Sequence, residues 1–196
     1  MNKETYIFIS RSGGGKGTQV ALLEEYIKEK DYSPVFHMEA GDRFREFISH
    51  NTYSSNLAKE MTNSGELLPS FLAVWAWTTE LITGVKENQI LIIDGTPRQL
   101  DEAIILDEAL KFYGRNKVKV VVIDVSREWS IERMKERKRA DDRTFESRKK
   151  RLDWFEADVV KVLDYFEESP DYEVIKVNGE QSIKKVHDEI LEKLKI

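Results

Sequence analysis

Residues 10–20 read SRSGGGKGTQV, between the apolar run TYIFI (5–9) and the segment ALLEEYIKEK (21–30). A hairpin here would place polar turn residues and then a second strand. Instead the pattern changes to a period of roughly 3.6 residues, with Val20, Leu23, Tyr26 and Ile27 on one face. Strand, adjacent glycines, one lysine and helix together make an arrangement that cradles phosphate. Gly13, Gly14 and Gly15 let backbone N–H groups turn toward an anion, the helix N-terminus adds positive potential, and Lys16 reaches the terminal phosphates. The strict pattern G-x-x-x-x-G-K-[ST] is missed twice: Ser10 holds the place of the first glycine, and Gly17 follows the lysine, displacing the hydroxyl to Thr18. The loop by itself says phosphate and names no reaction.

Outward from this loop, apolar runs predict strands at 6–10, 35–39, 90–94, 118–125 and 173–177. ILIID and VKVVVIDV are nearly unbroken β-branched runs, as expected of parallel strands buried on both faces. Helical patterns lie between them, at 17–30, at several places between 42 and 86, and at 99–113, 127–138, 144–167 and 182–194. The alternation predicts an α/β fold with a five-stranded parallel sheet flanked by helices, and ligands at the carboxyl ends of the strands. Asp94 and Asp124 close two of those strands; Asp94, beside the phosphate loop, is placed to order the waters of a magnesium ion. The run FLAVWAWTTELI (71–82) reads as a core helix whose inner face carries Phe71, Val74, Trp75, Thr78 and Ile82, with Trp75 and Trp77 as packing residues.

Composition narrows the function classes. At 196 residues, 40% hydrophobic and 34% charged, the chain suits one soluble domain with a proper core. No apolar run approaches the roughly 20 residues of a membrane helix, and the start MNKETYIFIS lacks the features of a signal peptide, so a cytoplasmic protein without a membrane partner is expected. The absence of cysteine excludes disulfides, thiolate nucleophiles and cysteine-ligated zinc. His37, His50 and His187 stand in no metal-ligand spacing and read as ordinary surface or partly buried residues. The net charge of −5 argues against nucleic acid as a partner. Yet residues 127–151 hold eleven Lys/Arg against six Asp/Glu, a local excess of five positive charges, which suits an anion clamp.

Further motifs follow in order: MEAGDRFREF (38–47), SGELLPS (64–70), DGTPRQLDEA (94–103), SIERMKERKRADD (130–142) and VNGEQS (177–182). With SGGGKGTQ (12–19), they resemble the adenylate kinase family of nucleoside monophosphate kinases over nearly the whole chain. In that family a Gly follows the loop Lys and the Thr comes next. The resemblance implies a single P-loop kinase domain over 1–196, with a helical monophosphate-binding insertion at 40–68 and a short lid at 138–144, too short and cysteine-free to be a zinc ribbon. It implies magnesium-dependent transfer of a phosphoryl group from ATP to AMP, giving two ADP, by a monomer whose partners are nucleotides.

The resemblance also assigns roles. Gly13, Gly14, Gly15, Lys16, Gly17, Thr18, Arg133, Arg137 and Gln181 would hold ATP. Ala40, Arg45, Leu67, Gly95, Arg98, Glu102, Arg139 and Arg151 would hold AMP. Lys16, Arg98, Arg133, Arg137, Arg139 and Arg151 would be the catalytic cations, and Asp94 would touch magnesium through water. Arginine suits such places because its planar fork binds phosphate through two bonds and keeps its charge.

Several positions depart from the family pattern. Thr96 stands in place of Phe, and Ala40 replaces a hydroxyl residue. Glu102 stands where a Gln commonly reads the acceptor adenine; an ionised carboxylate only accepts hydrogen bonds and would suit guanine. AMP is the expected acceptor, with GMP, CMP or UMP open. A nucleotide-binding module without turnover is the reading from outside the enzyme class. The spacing from Asp141-Asp142 to Arg-Leu is one residue long, so counting forward selects Lys150 for the acceptor clamp and counting back selects Arg151, the choice favoured for its bidentate reach.

Overall fold

The computed structural model describes residues 4–30, 34–137 and 144–196. Strands β1 (Thr5–Ser10), β2 (Val35–Glu39), β3 (Ile90–Asp94), β4 (Val118–Asp124) and β5 (Tyr172–Asn178) form one sheet in the order β2-β3-β1-β4-β5. Every pairing is parallel, with Ile7 opposite Ile93 on one side and Val120 on the other. Ile7, Leu91, Ile92, Ile93, Val120 and Val121 have no exposed surface. That is why these strands read as unbroken apolar runs rather than alternating ones.

Alternate side chains feed two cores. Tyr6, Phe8, Ile92, Val121 and Ile123 pack with α1 (Lys16–Glu29) and α9 (Ile183–Leu194). Ile7, Ile9, Leu91, Ile93 and Val120 pack with α4 (Ser70–Gly84), α5 (Leu100–Phe112) and α8 (Val160–Glu168). The chain passes from β1 to one side of the sheet first and to the other later, so the crevice at the carboxyl end of β1 is the switch point where α/β sheets bind ligands. The glycine loop opens there. The interval 40–68 contains α2 (Ala40–Ser49) and α3 (Tyr53–Asn63). Thr52 starts α3 through a reciprocal cap, its Oγ1 accepting from Ser55 N–H at 3.2 Å while Thr52 N–H donates to Ser55 Oγ at 2.9 Å.

Two expectations are corrected. The α4 segment is a core helix, but its buried face carries Ala73, Ala76, Trp77 and Leu81, while Phe71, Trp75 and Ile82 are 70%, 48% and 73% exposed. Because the run is apolar all round, period alone cannot choose its inner face. The small Ala73 and Ala76 let the helix approach, and Trp77 fills the space beyond. The helix expected over 144–167 is in fact α7 (Phe145–Trp154), a π-helical turn (Phe155–Val159) and α8. Leu152, Phe155, Val159, Val162 and Phe166 stay buried through the widened turn, so the hydrophobic period runs across it without a break. The remaining helix, α6 (Arg127–Glu136), follows β4.

At the opposite end of the sheet from the glycine loop, Arg115 is 3% exposed. Its Nη1 donates to the carbonyls of Gln89 and Glu4 at 2.8 and 3.3 Å, and Thr5 Oγ1 lies 3.4 Å away. This guanidinium ties the entrances of β1 and β3 together. Arg115→Ala would take this donor from the Gln89 carbonyl and leave a cavity, at an expected cost of about 3 kcal/mol. Urea unfolding checks this, and kcat should hold because the residue lies far from the cleft.

Candidate active site

The described residues assigned site roles from the sequence line one cleft of about 1090 Å³. This exceeds the roughly 300–1,000 Å³ of a single small-molecule site. Its floor is the loop between β1 and α1. Gly13 and Gly15 hold φ of 89° and 86°, conformations costly for a residue with a Cβ. A Cβ on Gly14 would collide with the Ser10 hydroxyl. Ser10, the departure at the first glycine position, donates that hydroxyl to the Ile123 carbonyl of β4 at 2.7 Å, which fixes the loop to the neighbouring strand. Lys16 begins α1, and Gly17 and the exposed Thr18 follow on its first turn.

The Lys16 ammonium touches the carboxylate of Asp94, which ends β3 and is 4% exposed. His37 Nε2 stands 4.0 Å from the other oxygen of Asp94, and its Nδ1 lies 3.1 Å from Glu24 of α1. His37 thus sits within the polar shell of the site, which its isolated place in the sequence concealed. Asp124 is 68% exposed at its side chain and pairs with Arg11 at 3.2 Å, away from the cleft lining.

On one wall, Arg45 of α2 donates from Nη2 to Glu39 Oε1 at 2.8 Å. Arg98 donates from Nε to the Gly95 carbonyl at 2.7 Å and lies over the Trp154 ring, 5.5 Å from its centre. Ala40, Leu67, Gly95 and Glu102 line the same cleft. Trp154 Nε1 donates to the Gly65 carbonyl at 3.2 Å, joining α7 to the end of the 40–68 interval. On the other wall, Arg133 of α6 lies 4.9 Å over the Trp129 ring, and Arg137 caps that helix. Gln181 is held by the Asn178 carbonyl at 3.0 Å and Glu189 at 2.8 Å. Glu180 accepts from the Ser126 N–H at 2.6 Å, and hydrogen bonds from the Ser126 side chain and backbone hold its carboxyl below the usual range.

The two register candidates on α7 point in different directions. Arg151 lines the cleft and donates from Nε to Ser12 Oγ of the glycine loop at 3.0 Å, whereas Lys150 points to Glu66 at 2.9 Å and is absent from that lining. Arg139, Asp141 and Asp142, with all of the expected lid except Thr144, lie outside the described residues. Glu39, Ser12, Trp129 and Trp154 were not foreseen. Only Trp129 had a local signal, standing four residues before Arg133 on one helix face.

Among the described residues, no three His, Cys, Asp or Glu side chains cluster as a metal cage, and no helix is long and apolar enough to cross a membrane. A family model described as adenylate kinase matches residues 8–170. The chain is 30% identical to adenylate kinase 1 of Nostoc sp. (strain PCC 7120) over 184 residues, covering 94% of this chain and 95% of that one. It is 30% identical to an adenylate kinase of Prochlorococcus marinus (strain AS9601) over 192 residues, covering 98% and 99%. To adenylate kinase 1 of Synechocystis sp. (strain PCC 6803) it is 31% identical over 188 residues, covering 92% and 91%.

Proposed function

The chain belongs to the adenylate kinase family, and from that premise we propose that it transfers the terminal phosphoryl group of ATP to AMP, reversibly and with magnesium, giving two ADP. One observation carries the reading: Lys16, Arg45, Arg98, Arg133, Arg137 and Arg151, from distant parts of the chain, face one cleft around a phosphate loop. A module that only held ATP would have no use for cations on both walls.

An oxygen of the acceptor phosphate attacks the terminal phosphorus of the donor. The new P–O bond forms as the bond to the bridging oxygen breaks, and no proton has to move. Such a transfer depends on positioning and charge neutralisation more than on covalent participation by the protein. In this scheme Lys16 and the loop N–H groups hold the donor phosphates. Arg45, Arg98 and Arg151 hold the acceptor phosphate, and Arg133, over the Trp129 ring, takes the donor base. Arg137, and Arg139 beyond the described residues, flank the transferring group.

Magnesium takes one or two carboxylates and fills its other positions with phosphate oxygens and water. Asp94, buried at a strand end beside Lys16 with Thr18 near by, fits that demand through an intervening water. When bound with ATP, the ion would neutralise charge on the phosphates. The test is ADP formation from ATP with each of AMP, GMP, CMP and UMP in turn, with and without magnesium. AMP with magnesium should give the highest kcat/KM; nucleotide binding with no turnover for any acceptor would sink the proposal.

A further inference from the structure

The acceptor wall contains a buried acid whose hydrogen-bond partners are all neutral. Glu102, on the first turn of α5, is 2% exposed. Its Oε2 accepts from Thr96 Oγ1 at 2.7 Å, and Gln99 Nε2 stands 3.5 Å from Oε1 while bonding the Leu68 carbonyl more closely at 3.0 Å. The Arg98 backbone N–H is a further donor. The Arg98 guanidinium is itself turned to the Gly95 carbonyl and the Trp154 ring.

A carboxylate taken out of water and hydrogen-bonded only to neutral donors favours its neutral form. Burial pushes the Glu102 pKa up, and the opposing pulls of Thr96, Arg98 and Gln99 do not offset it. Thr96 and Glu102 are both departures from the family pattern, and here they are hydrogen-bonded to each other.

We propose that Glu102 reads the acceptor base as a neutral acid at lower pH and as a carboxylate at higher pH, so that proton occupancy sets the choice between adenine and guanine. This rests on the acceptor site of the preceding section. A neutral carboxyl group offers one donor and one acceptor side by side, as an amide does. Adenine matches it with the N1 lone pair and an N6 hydrogen. An ionised carboxylate offers two acceptors, which suit the N1–H and N2–H of guanine and face the adenine N1 lone pair badly.

The decisive measurement is the ratio of kcat/KM for AMP to kcat/KM for GMP as pH rises from the ordinary carboxyl range. Both acceptors carry the same phosphate and use the same donor, so effects on the rest of the site cancel. The ratio should fall by about tenfold or more as a matched contact becomes a mismatched one. In Glu102→Gln the ratio should be flat. In Thr96→Val the fall should move to higher pH, because the hydroxyl bond that holds the pKa down is gone.

A second measurement needs no activity. The folded protein keeps a proton on Glu102 that the unfolded chain has released, so the wild type loses stability as pH rises from the ordinary carboxyl range toward the raised folded value. Its melting temperature should therefore drop relative to that of Glu102→Gln over this interval. Turnover with a ratio that ignores pH, or that falls equally in Glu102→Gln, overturns this inference alone, as do parallel melting curves. Failure to phosphorylate any monophosphate overturns the proposed function, and this inference with it.

Discussion

Lys16→Met should lower kcat by about a thousandfold or more, the scale of losing a preorganised charge where negative charge develops. The side chain is placed by rigid neighbours: Gly15 in the left-handed region turns the chain, and Lys16 then opens α1. Its ammonium touches Asp94, which is itself nearly buried. Deleting the lysine therefore does two things. It removes the proposed phosphate ligand, and it strands a buried carboxylate, which costs about 3–5 kcal/mol of stability. The two effects can be separated. Lys16→Met combined with Asp94→Asn removes both charges, so the melting temperature should recover while kcat stays low. Wild-type kcat in Lys16→Met at saturating nucleotide would show that this lysine does not serve the transfer.

The parts of this molecule that were legible in its sequence share one property: their signal is local. Each of the five strands ends within one residue of its expected position, because burial on both faces demands unbroken Val and Ile runs such as Ile90–Asp94. The glycine loop was legible because chain direction, φ and phosphate chemistry all act within a few residues. The inner face of α4 was not, since an all-round apolar helix carries no phase. Nor were the contacts that shape the site. Ser12 meets Arg151 across 139 residues of chain, and Arg98 meets Trp154 across 56. His37 reaches Asp94 from an adjacent strand. Such pairs are set by topology, and no spacing rule within one element announces them. Glu102 lies between these cases. Its identity posed the question of acceptor base, but only its burial beside Thr96 says which protonation state the site favours.

The same limit applied to the clamp on α7, where counting along the chain could not choose between two adjacent residues. On a helix, neighbours in sequence point about 100° apart, so only one of them can face a given cleft. Arg151 faces it: its Nε is tied to Ser12 in the glycine loop, and the residue lines the cleft. Lys150 faces Glu66 in water, and that pair holds the Glu66 carboxyl below its usual range while Lys150 itself stays out of the cleft lining. Arg151→Ala should thus lower kcat about a hundredfold or more, as losing one transition-state clamp does. Arg151→Lys should recover only part of that loss, because it restores the charge without the fork. Lys150→Ala should leave both kcat and KM within about twofold of wild type, since an exposed ion pair contributes little. Ser12→Ala separates positioning from charge: with Arg151 intact but its bond to residue 12 removed, KM for AMP should rise more than kcat falls. If Lys150→Ala lost turnover and Arg151→Ala kept it, the helix would be rotated from the orientation described, and the acceptor clamp would have to be built from the lysine.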